Sequence, residues 1–164
     1  MRTIVLLFCT LLIAGCNKYP DGPAFSLRSK QNRLIGHWYA SDAVVEYKPV
    51  DGTIQGQSEN LTKYYAEDYI RWQFLKEDGG LIQKAYQGTG TISYQSNVCY
   101  FSEDSQSLII ENNDAMNRSN DTLEILRLSN KELWLKSVDR FVVYNDSLQG
   151  VNCDVILTVK WKSF

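Results

Sequence analysis

The sequence predicts an all-β domain: an eight-stranded antiparallel up-and-down barrel preceded by a short helix. Three observations lead there. Between residues 37 and 162, segments rich in Val, Ile, Trp, Tyr and Phe recur at regular spacing, split by Asp, Asn, Gly and Ser. No helical period persists after residue 35. Short turns join many of the successive strands, as in a meander, and closing a meander into a barrel removes its exposed edges. A two-sheet sandwich is the alternative that the pattern leaves open.

Ahead of the domain lies a leader. Arg2 supplies a positive charge, and Ile4 to Ile13 is apolar except for Thr10. That run is too short for a spanning helix, which takes ~20 apolar residues, and it has the form of an export signal. It ends in Leu12-Ile13-Ala14-Gly15-Cys16, which resembles the bacterial lipobox. The resemblance implies that residues 1–15 are a signal peptide, that the Cys16 thiol is diacylated, and that the chain is cut before it. Two or three acyl chains anchor stably, because each buried methylene contributes ~0.8 kcal/mol. The expected partner is therefore a membrane, and the expected location is the cell envelope, at the outer membrane. The bland alternative is an ordinary signal with an incidental Cys16.

The 164-residue chain carries 17 Lys and Arg against 19 Asp and Glu, and no basic cluster. Nucleic acid needs a basic footprint to neutralise phosphates, so it is set aside as a partner. The size suits one domain with a real core. Of the four cysteines, Cys9 leaves with the leader and Cys16 is the anchor, so Cys99 and Cys153 remain. An oxidising compartment favours their union in a disulfide, worth roughly 4 kcal/mol on chain entropy. The alternative is two buried thiols. Neither has metal-ligand spacing, so no metal or cofactor is expected.

The elements follow in order. Residues 16–25 read as a tether, broken by Pro20, Gly22 and Pro23, and the domain spans 26–164. Ser26 is the expected cap of a short helix ending before Gly36. Strands are expected over 37–48, 69–76, 81–87, 90–101, 107–111, 122–128, 132–144 and 152–162. Residues 50–68, polar and Gly-containing, read as a long loop with Tyr64 and Tyr65 near its end. In the second strand Ile70, Trp72 and Phe74 share one face, with Arg71 and Gln73 on the other.

Gly36-His37-Trp38 opens the first strand behind the helix. It resembles the Gly-x-Trp signature of lipocalins. The Ser26–Lys30 block behind a lipobox, Phe74 to Gly79, and Glu132-Leu133-Trp134-Leu135 are similar to lipocalin-like lipoproteins of Bacteroidetes. Each motif is short. The resemblance implies that Gly36 and Trp38 form the plug of the closed end, with a basic side chain of the last strand, Lys160 or Lys162, across the indole. It also implies a lumen able to hold one small apolar or amphipathic ligand. On that reading the 50–68 loop is a lid at the mouth. Candidate pocket residues are Ile70, Trp72, Phe74, Tyr64 and Tyr65.

No catalytic constellation stands out, so the chain is expected not to be an enzyme. His37 is the lone histidine, with no nucleophile near it in sequence. The adjacent acids Glu67-Asp68, Glu77-Asp78 and Glu103-Asp104 do not form a pair facing one cleft. Trp72 and Phe74 suit ordinary core as well as a pocket. Two functions therefore stand: a membrane-anchored binding protein, or a filled barrel acting in an envelope complex. A cavity in the interior discriminates between them.

Overall fold

A computed structural model describes residues 28–52, 55–67, 71–76, 80–87, 92–111, 120–144 and 150–163. The expected signal peptide, Cys16, the tether and Ile70 lie outside them, as do most of the 112–121 loop and the Gly88–Gly90 turn. No helix among the described residues is long and apolar enough to cross a membrane.

The barrel is present and closed. Its strands are β1 (Gly36–Pro49), β2 (Gln57–Asn60), β3 (Arg71–Leu75), β4 (Leu81–Gln87), β5 (Ile92–Phe101), β6 (Ser107–Ile110), β7 (Asp121–Leu128), β8 (Glu132–Val143) and β9 (Val151–Ser163). All ladders are antiparallel, and β1 pairs with β9 to close the ring. Eight strands are staves. The ninth, β2, was not expected. It pairs with the far half of β1, Val44 to Tyr47, on the edge whose near half, Gly36 to Tyr39, pairs with β3.

Among the described residues, two helices accompany the barrel. In α1 (Lys30–Leu34) the cap is Ser29, not Ser26: the Ser29 hydroxyl accepts from the Asn32 N–H at 3.2 Å. The second, α2 (Thr62–Glu67), occupies what the sequence suggested was loop. The stretch 57–67 is therefore mostly regular structure, a strand and a helix.

Period two explains the core. Trp38, Ala43, Val45, Phe74, Ile82, Leu108, Ile110, Ile125, Leu128, Leu133, Leu135, Val159 and Trp161 are buried and point inward. Two irregularities keep that face continuous. The register shifts between Ala40 and Asp42 and between Ile125 and Arg127, each absorbing one residue so that the next side chains still alternate correctly.

The closed end is built as the Gly-x-Trp pattern implies. Gly36 has φ +133°, a conformation that side chains disfavour, and it delivers Trp38 into the core. The buried indole Nε1 donates to the Leu34 carbonyl at 2.7 Å, tying strand to helix. The basic residue at this end differs from expectation. Arg33 of α1 donates through Nη1 to the Leu128 carbonyl at 2.7 Å. Lys160 is on the outer face, where its ammonium lies 2.7 Å from Asp42 and 5.1 Å from the centre of the Trp134 ring. The register shift at Ser41 explains this, because Asp42 and Lys160 face each other outside the barrel.

The expected disulfide is not formed, and Cys99 and Cys153 both remain buried thiols. Cys99 pairs in register with Ile110, whereas Cys153 pairs with Pro49 and Phe141. Three strands separate β5 from β9 in the sheet, and neighbouring strands are ~4.8 Å apart. Their sulfurs thus belong to different walls and different heights, so an even cysteine count misled.

Candidate functional site

The lumen above the tryptophan floor is hollow. It holds a cavity of about 390 Å³, within the range of small-molecule pockets, roughly 300–1,000 Å³. Trp72, Trp161, Leu135, Val159, Leu157 and Ile110 supply apolar wall. Trp72 and Trp161 stack with centroids 4.4 Å apart and planes at 30°. The strand order explains how they meet. β1 lies between β3 and β9, and the residue of β1 opposite Trp161 is the small Ala40. The Trp161 Nε1 is buried with no hydrogen-bond partner.

The polar side of the cavity comes from β7 and β8. Asn120, Asp121, Thr122, Ser137 and Asp139 line it. Ser137 and Asp139 continue the inward face of Leu133 and Leu135, so that face changes from apolar at the floor to polar higher up. Among the described lining residues there is no Lys, Arg or His.

Tyr65 overhangs the cavity from α2. Burial, and secondarily Tyr64, pushes its phenol above the usual tyrosine range, so it stays neutral and keeps its proton. A polar clasp sets the position of α2. The Thr62 hydroxyl donates to Asp42 Oδ1 at 3.1 Å and accepts from the Ala43 N–H at 2.9 Å. The hydrogen bond from Lys160 holds the Asp42 carboxyl below its usual range, against the opposing effect of burial, and Thr62 adds to the lowering.

Of the expected pocket residues, the structure brings Trp72 and Tyr65 together at the cavity. Phe74 is a correction: it is buried one rung deeper, edge-on to Trp72 at 6.1 Å, in the core below the lumen, and it borders the hollow at the closed end instead. Tyr64 is a second correction. It is 62% exposed and does not line the cavity, although its ring meets that of Tyr65 edge-on. Ile70 lies outside the described residues. The sequence reading missed Leu157, Ser137, Asp139 and Trp161. The signal was there, since Leu133, Leu135, Ser137 and Asp139 alternate in one strand.

A second hollow of about 690 Å³ lies at the closed end, between α1 and the ends of β3 to β6. It is larger, and Leu34, Ile35, Phe74, Phe101 and Leu108 give it apolar wall, but it lies outside the ring of strands and is bordered on the helix side by Ser29, Lys30, Gln31 and Asn32 as well. The lumen is the better site, because it is ringed by strands and combines an aromatic floor with convergent polar groups. Among the described residues, no cluster of three His, Cys, Asp or Glu side chains could hold a metal ion.

The fold is that of lipocalins. Insecticyanin from the tobacco hornworm Manduca sexta superposes with a TM-score of 0.54 at 10% identity, over 90% of this chain and 68% of the other. Bovine odorant-binding protein, solved with a selenium-containing odorant, gives 0.45 at 14% identity, over 85% and 76%. No protein-family model and no curated protein matches the sequence.

Proposed function

We infer that this protein is a binding protein that holds one small apolar or amphipathic molecule in its barrel lumen, tethered to a membrane of the cell envelope through a lipid on Cys16. The cavity of about 390 Å³ carries the binding half of this reading, since a filled barrel would have no such space. Its floor is a tryptophan pair and its upper wall is polar, which suits a ligand with an apolar body and one polar end. The lumen contains no nucleophile–base pair among its described lining residues, so binding without chemistry is the simplest use of the site. The anchoring half rests on the lipobox resemblance at Cys16, with the outer membrane as the proposed location.

The test of binding is a tryptophan-fluorescence titration of the purified full-length chain with short-chain amphiphiles. Saturable quenching, abolished when Leu157→Trp fills the lumen, supports the reading. No saturable response from any amphiphile sinks it. Anchoring is tested separately by labelling cells with a fatty-acid analogue, where Cys16→Ser should lose the label.

The other function that the sequence allowed, docking in an envelope complex, keeps one supporting observation. Val138 and Val142 are exposed apolar side chains on the outer face of the far half of β8, with the exposed Tyr144 just beyond the strand.

A further inference from the structure

The far half of β8 is an open sheet edge. On one side β8 pairs with β9 along its whole length, from Glu132 opposite Lys162 to Val143 opposite Val151. On the other it pairs with β7 only from Leu133 to Lys136. From Ser137 to Val143 the backbone on that side has no strand partner among the described residues. The edge is backed by more sheet, because β9 pairs in turn with β1, and β1 with β2, at the same level.

The side chains of this edge are uncovered as well. Val138, Asp139, Arg140, Phe141, Val142 and Tyr144 are all exposed, and only Val143 among them is half-buried. Successive strand residues face opposite sides, so both faces are open, with Phe141 on the row of Leu135 and Asp139, and Val138 and Val142 on the outer one. Open edges are usually blunted by Pro, Lys or a bulge. This stretch has no Pro or Lys, and its register with β9 runs without a shift. Its one cation, Arg140, is held across the sheet by Asp154 at 2.8 Å. Among the described residues β2 has a free edge too, but Gln57-Ser58-Glu59-Asn60 offers no apolar side chain to bury.

We propose that two copies of this chain pair antiparallel through this edge, about a two-fold axis that sets Phe141 opposite Phe141 of the other copy. A row of free backbone N–H and C=O groups is matched by another strand, and an antiparallel edge is its own complement under a two-fold axis normal to the sheet. Such an axis keeps each side chain on its own face, so it passes through a residue and not between two. At Asp139 it would oppose two carboxylates, and at Arg140 two guanidiniums, both unfavourable. At Phe141 it opposes two rings, a favourable cross-strand pair. It then sets Arg140 against Val142, Asp139 against Val143 and Val138 against Tyr144, so no like charges meet. Phe141 is also the midpoint of the uncovered run from Val138 to Tyr144. A strand pair this short buries less than a standard interface, so a dimer dissociating on the order of 10 μM is expected.

Sedimentation velocity of the purified full-length chain, from roughly 1 to 200 μM so as to bracket that constant, reads the association. Phe141→Lys and Phe141→Asp each put two like charges at the axis, so each should weaken the dimer by about tenfold or more. An equimolar mixture of the two variants should dimerise again, because an ammonium then faces a carboxylate. Phe141 is exposed, so both should keep the wild-type urea midpoint at monomer concentration. Without any variant, raising the wild-type concentration through the transition should slow amide exchange within 138–143 and leave β2 unchanged. A wild type that stays monomeric throughout overturns the proposal and leaves the edge to a strand of another protein. Association undiminished in both variants overturns it too, and puts the contact elsewhere, the lipid proposed on Cys16 included. Variants that separate but do not recombine, or exchange within 138–143 that is indifferent to concentration, overturn the pairing about Phe141.

Discussion

Trp161 stacks on Trp72 across β1, at 4.4 Å between ring centres, although the two residues belong to strands that do not pair with each other. The contact welds the last strand of the barrel to the third and forms the floor of the lumen. Deleting a buried aromatic costs roughly 3–5 kcal/mol, so Trp161→Ala should destabilise the protein by that order. Trp72→Phe, which keeps a ring at the edge of the cavity, should cost much less. Urea unfolding measures both, and equal losses would show that the stack is not what matters at the floor.

Trp38→Ala should cost a similar 3–5 kcal/mol, because it removes both the plug and the hydrogen bond to Leu34. The 52–62 segment, which the sequence suggested was loop, should divide. Ser58 and Glu59 are exposed, so their substitution should change stability by no more than about 0.5 kcal/mol. Thr62→Ala should cost about 1 kcal/mol, because it breaks the bonds to Asp42 and to the Ala43 amide. Denaturation midpoints of the three variants decide the matter.

Gly80 has φ +70°, and a Cβ there would collide with the carbonyl oxygen of Cys99. The Cys99 N–H donates to the Gly80 carbonyl at 3.0 Å, which continues the β4–β5 ladder one residue past Leu81. Gly80→Ala should therefore destabilise this end of the β4–β5 ladder by more than the roughly 1 kcal/mol typical of a point change. Hydrogen exchange would locate the loss: faster exchange of the Cys99 amide is expected, and an unchanged rate would contradict the clash.

Asp42 gives a pH dependence with a defined sign. Its folded pKa lies below the ordinary 3.8 because Lys160 donates to it. The carboxylate's contribution is therefore complete above about pH 4 and fades as pH falls through the lowered folded value. Acid should loosen α2 from β1, and Asp42→Asn should remove that dependence. Following Tyr65 by its fluorescence or amide exchange from pH 6 to pH 2.5, on the order of the carboxylate range, provides the check. An Asn variant with the same acid transition would place the transition elsewhere.

Cys99 and Cys153 should resist alkylation in the folded protein and react together on unfolding, without prior reduction. Burial accounts for the protection, because thiol reactivity needs an accessible thiolate. A pair that reacts only after a reductant is added would mean that they had been joined.

Much of the barrel was legible because its information is local. Alternation such as Ile70, Trp72, Phe74 marks a strand and its face, and Asp or Gly between runs marks a turn, so all eight staves were found within two residues of their observed ends. The β2 strand was illegible because Gln57-Ser58-Glu59-Asn60 has no apolar face, and its order comes from backbone pairing with β1. Depth was also illegible. Period two places Trp72 and Phe74 on one face, but only register with Trp38 and Gly36 shows that one borders the cavity and the other lies beneath it. The cysteines show the same limit, because parity of number carries no information about which wall a thiol occupies.

The seam between β1 and β9 joins the beginning of the domain to its end. β1 carries its partner along almost its whole length, from Trp38 opposite Ser163 to Pro49 opposite Cys153. Until the last strand is synthesised, β1 and β8 both present open edges, and Ala43, Val45, Leu133 and Leu135 have no cover from that side. Assembly is thus governed by the most distant pairing in the chain, which makes the search slow and leaves a sticky precursor exposed meanwhile. A truncation that removes Val151–Ser163 should yield aggregate rather than a weakened barrel, since the ring has no stable arc.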